Sequence, residues 1–143
     1  MNRKALNTLE YTKITAMLQD LTGCEGSAQM AKKLSPYDDM HIIKRELRST
    51  TEAVGLIDRK GPLPTEGLYD VDGCVDRAHK GGSLTMKELL EVNADLRIAS
   101  RIVSFMKSDD IPDIPLIREM AKLIIPVRSL EVEIGRASCR ERV

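Results

Sequence analysis

Thr85-Met86-Lys87-Glu88-Leu89-Leu90-Glu91-Val92-Asn93-Ala94-Asp95-Leu96-Arg97-Ile98-Ala99-Ser100-Arg101-Ile102-Val103-Ser104-Phe105-Met106 is the stretch that decides the fold class. Leu89, Val92, Leu96, Ala99, Val103 and Met106 step by three and four, which gathers them on one helix face. Lys87, Glu91, Asp95 and Arg97 fall on the polar side. Thr85 and Glu88 have the spacing of a capping box, in which each side chain bonds the other's backbone amide. Gly81-Gly82 stops the helix before it, and Ser108-Asp109-Asp110-Ile111-Pro112 ends this one.

The same pattern recurs upstream. Met40, Ile43, Leu47, Thr50, Val54 and Ile57 form a heptad-like stripe. Ser35-Pro36-Tyr37-Asp38 reads as its start, with Ser35 as N-cap, Pro36 in the first turn and Asp38 and Asp39 at the positive end of the helix dipole. Gly61-Pro62-Leu63-Pro64 is its stop. Two long helices are therefore expected, at about 36–60 and 86–107. Each has about 22 residues and spans roughly 33 Å at 1.5 Å per residue.

Shorter helices complete the reading. Ile14, Met17 and Leu21 share a face. Thr22-Gly23-Cys24-Glu25 reads as a second capping box before a helix over about 24–34, with Ala28, Ala31 and Leu34 inward. Helices over about 70–79 and 114–125 follow, the latter with Ile117, Ala121 and Ile124 inward and closed by Pro126. No segment alternates with period two. The expected fold class is all-α, a helical bundle whose stripes serve as its core.

Composition narrows function by exclusion. The 143 residues carry 22 basic and 22 acidic side chains, so the balance of charge offers no electrostatic reason to bind nucleic acid or membrane. No apolar run approaches the roughly 18 residues of a membrane span. The basic start, Met1 to Asn7, lacks the apolar core of a secretory signal, and the simplest placement is cytoplasmic. Cys24, Cys74 and Cys139 are too far apart for a zinc knuckle and read as reduced thiols. Four scattered rings, Tyr11, Tyr37, Tyr69 and Phe105, make a poor platform for stacking bases.

Candidate sites each have a plainer explanation. Gly81-Gly82 reads as a helix end and not a phosphate loop, since no strand precedes it and no lysine follows at the right offset. Asp70, Asp72 and Asp76 could attract magnesium, but aspartates also gather at helix starts for capping. Lys44, Arg45 and Arg48, and separately Arg97 and Arg101, could meet phosphates. Glu46 and Glu52 interleave with the first set, which favours a solvated face of i,i+4 pairs. Cys24 and Cys74 have no activating neighbour in sequence. The residues alone select no catalytic, cofactor or metal site. They leave a helical structural segment and a free-standing helical protein–protein interaction module as the rival readings.

Several blocks resemble the bacterial type-two MutS family. Thr8-Leu9-Glu10-Tyr11-Thr12-Lys13-Ile14 is similar to its opening T-L-E-[FY]-x-K-I, and Leu34-Ser35-Pro36 to an L-x-P turn. Arg77-Ala78-His79-Lys80-Gly81-Gly82-Ser83-Leu84, followed by Glu88-Leu89-Leu90-Glu91-Val92, resembles R-A-x-x-G-G-x-L-x-x-x-E-L-L-x-[VI]. Leu96-Arg97-Ile98-Ala99-Ser100-Arg101 resembles L-R-x-A-x-R. The blocks keep order and spacing over about 1–132.

The resemblance implies the N-terminal part of a core and lever helical domain, within a parent that binds branched or mismatched DNA. It also implies a parent that hydrolyses ATP with Mg, carries an endonuclease domain, suppresses recombination, rescues stalled ribosomes and forms a homodimer. No position here matches the ATP-site or nuclease motifs, so no such residue is carried over and this segment alone is expected to have neither activity.

Residues 133–143, Glu-Ile-Gly-Arg-Ala-Ser-Cys-Arg-Glu-Arg-Val, stand apart. They resemble, codon for codon, the translation of a common sequencing adapter. The expectation is a non-native tail, in which Arg136, Cys139, Arg140 and Arg142 carry no biological meaning, and which is left out of fold reasoning.

Overall fold

Each long helix begins where a side chain can satisfy its free amides. The computed structural model describes residues 3–140, and eight helices make up the secondary structure among them. Helix α6 (Met86–Phe105) starts at Thr85, whose hydroxyl accepts from the Glu88 amide at 3.3 Å while the Glu88 carboxylate accepts from the Thr85 amide at 2.8 Å. The capping box is formed as its spacing requires.

Helix α4 (Met40–Lys60) starts four residues later than expected. Asp39, not Ser35, is the N-cap, and its carboxylate accepts from the amides of His41 and Ile42. A charged acceptor holds these amides more strongly than a serine hydroxyl would.

The remaining helices are α1 (Arg3–Thr8), α2 (Tyr11–Asp20), α3 (Glu25–Lys33), α5 (Asp72–His79), α7 (Pro115–Lys122) and α8 (Arg128–Arg140). The Thr22–Glu25 box is not made. Thr22 donates back to the Gln19 carbonyl at 2.7 Å, and Cys24 takes the N-cap position of α3 with no side-chain cap. Pro126 does not end the helical chain either. A new helix begins two residues beyond it and runs through 133–140, with Ile134 buried. Glu141, Arg142 and Val143, and the side chains of Cys139 and Arg140, lie outside the described residues.

The α5–α6 corner explains the double glycine. The Gly82 amide donates to the Arg77 carbonyl and the Gly81 amide to the Ala78 carbonyl, both at 2.9 Å. This is the paired closure of a helix that needs a left-handed residue after its end. Gly81 supplies it with φ +86. A Cβ on Gly82 would stand 2.7 Å from Arg77 Cγ, so both positions need glycine for separate reasons.

Packing divides the chain. Helices α1, α2 and α3 pack in series on one another, α4 packs on α7, and α6 packs on α7 and α8. Leu56 of α4, Met106 and Ile114 form the central cluster, with Leu63, Ile102, Phe105, Ile111, Ile117 and Ala121 around it. Ile117 and Ala121 thus face inward as their spacing requires.

The stripe of α4 does not. Met40, Leu47, Val54 and Ile57 are 60%, 63%, 53% and 49% exposed, and the helix buries Glu52 and Leu56 instead. The long helices meet at their C-terminal ends and through α7, not along a shared seam. Ile14 and Met17 of α2, and Leu21 just after it, are exposed as well.

Candidate functional site

The inner face of α4 carries Glu52, Leu56 and Lys60, one helical turn apart, and these three residues build an interhelical joint. The Glu52 carboxylate is buried and reaches the start of α7. Its Oε2 accepts from the Leu116 amide at 2.8 Å and the Ile117 amide at 3.2 Å. Its Oε1 accepts from Arg48 Nε at 3.2 Å. Helix α7 has no cap from its own N-cap residue, Ile114, and opens with Pro115, so Glu52 replaces a local cap from 64 residues away.

At the other end Lys60 Nζ donates to the Phe105 carbonyl at 3.2 Å and sits 4.6 Å from the Phe105 ring centre. A helix N-terminus is partly positive and a C-terminus partly negative. One helix therefore meets the positive end of α7 with an acid and the negative end of α6 with a base. Leu56 fills the space between them.

Beside this joint lies an open cleft of about 1000 Å³ between α6, the segment 64–69 and α8. The Tyr69 amide donates to Asp95 Oδ1 at 3.0 Å and ties that segment to α6. Glu131 of α8 accepts from the Ser100 hydroxyl at 3.4 Å and pairs with Arg97 at 3.5 Å. Burial pushes the Asp95 carboxyl up, the Tyr69 amide pulls against that, and Glu91 adds to the rise. Asn93 lines the cleft and is 8% exposed, and its Oδ1 has no hydrogen-bond partner.

Arg77 and Glu88 pair at 2.6 Å across the α5–α6 corner. The hydrogen bond from Arg77, helped by the Thr85 amide and hydroxyl, holds the Glu88 carboxyl down at about 2 against an ordinary 4.5. A carboxyl lowered on folding stabilises the fold above the unfolded value and loses that contribution as pH falls toward the folded one. Amide exchange at Gly82 and Thr85 should therefore quicken between pH 4.5 and 2 relative to the rest of α6. Glu88→Gln should abolish that pH dependence, and a pH-dependent quickening that persists in the variant would contradict the assignment.

The residues flagged by sequence scatter. Asp76 pairs with Lys80 at 2.6 Å, and Asp70 and Asp72 are exposed. Among the described residues no three His, Cys, Asp or Glu side chains gather to hold a metal. Lys44, Arg45 and Arg48 lie exposed on α4, where Arg48 is turned to Glu52. Arg97 and Arg101 line the cleft on α6, so the two basic sets stand on separate helices.

Cys74 is buried and donates to the Val71 carbonyl, while Cys24 contacts the Ser27 hydroxyl, and both are free thiols. Glu52 entered the sequence reading only as a surface charge, and Lys60 and Asn93 only as members of their helices. The one available signal was the acid–apolar–base repeat at intervals of four, which an exposed helix also shows.

Comparison with known proteins gives the chain relatives. It is 33% identical over 142 residues to the Endonuclease MutS2 of Clostridium botulinum (strain Alaska E43 / Type E3). It is 32% identical to that of Clostridium beijerinckii and 31% identical to that of Clostridium perfringens, again over 142 residues. Each alignment covers 99% of this chain and 18% of the relative. The chain thus spans about a fifth of the length of the relatives it matches. No protein-family profile matches it.

Proposed function

We propose, for a chain homologous to a segment of the MutS2 endonucleases, that it is a non-catalytic helical strut of a larger DNA-binding ATPase and nuclease. The observation that carries the reading is the α4 joint, which contacts α6 and α7 at opposite dipole ends and ties the three helices together. Long helices joined this way can relay a displacement from one end to the other.

The ATP, the Mg, the homodimer, and the DNA and ribosome partners belong to that parent, in the cytoplasm. Within it, 1–132 is the first part of the core and lever domain. The test is Glu52→Ala with Lys60→Met in the full-length polypeptide. Nucleotide-dependent DNA affinity should lose most of its nucleotide dependence while ATP turnover without DNA is retained. Full retention of that dependence would sink the reading.

A second reading, a free-standing interaction module, is favoured by the exposed apolar faces of α2 and α4. The two differ in solution. A strut removed from its parent should bind a hydrophobic dye and self-associate, whereas a native module should be monodisperse and unfold cooperatively.

We further propose that 133–143 is adapter-derived. Its support is the residue-by-residue match of this stretch to a translated adapter. Sequencing the locus beyond codon 132 should show a native frame with different residues, and the same eleven codons in genomic DNA would refute it.

A further inference from the structure

We draw no further inference here: the strongest candidate, the exposed apolar stripe of Met40, Leu47, Val54 and Ile57 on the face of α4 turned away from the joint, is an unpartnered helix face, and nothing in the structure shows what covers it.

Discussion

Leu56→Ala lowers the unfolding free energy of the chain by about 3 kcal/mol, within the range for a fully buried leucine cut to alanine. Leu56 is 1% exposed and touches the only cluster of buried side chains that joins α4 to the rest of the described structure. Its loss leaves a void against Met106 and Ile114, and the partners are poorly placed to collapse into it. Ile114 is tied to the start of α7, and Met106 to the end of α6. Urea denaturation followed by circular dichroism checks the prediction. The midpoint should fall with little change in slope. The same experiment on Leu47→Ala should show a loss below about 0.5 kcal/mol, as for an exposed surface substitution. Equal losses at 47 and 56 would mean that the exposed stripe, not the joint, holds α4.

Glu52→Ala is the second large effect, at about 2 kcal/mol. Removing the carboxylate strands two amides at the start of a helix that has no other cap, and a stranded buried donor costs about 1–3 kcal/mol. Loss of an N-cap costs about 1 kcal/mol by itself. Glu52→Gln keeps one acceptor oxygen and should lose roughly half as much, since a neutral acceptor bonds about half as strongly as a charged one. Arg48 is 63% exposed, so Arg48→Ala should cost under about 1 kcal/mol despite its 3.2 Å contact. Urea midpoints for the three variants give the order directly. An Arg48→Ala loss as large as that of Glu52→Ala would mean that the ion pair, not the capping of α7, is what Glu52 supplies.

The joint also sets the reading of the relatives in proportion. Its residues hold α4, α6 and α7 together, and each alignment with a relative covers 18% of that relative.

Local chemistry was legible in the sequence wherever a residue's partner lies within one turn. Thr85 and Glu88 cap α6, and Gly81 and Gly82 close α5, because those bonds connect residues a few positions apart. The all-helical class followed from period alone. Start sites failed where two local caps competed, as at Ser35 and Asp39, and where a side chain could turn back on its own helix, as at Thr22. Helix α8 was not anticipated, because Pro126 reads as the end of the helical chain and 133–143 is set aside for its resemblance to a translated adapter.

The sequence by itself determined which segments are helical, because helix signals act through short-range sterics, capping and periodicity. Only the tertiary structure decided which face of each helix is inside. Periodicity reports that a face is apolar but not what covers it. On α4 the apolar stripe faces out, while Glu52, a surface charge by every local rule, is buried because it completes the hydrogen bonds of a helix 64 residues away.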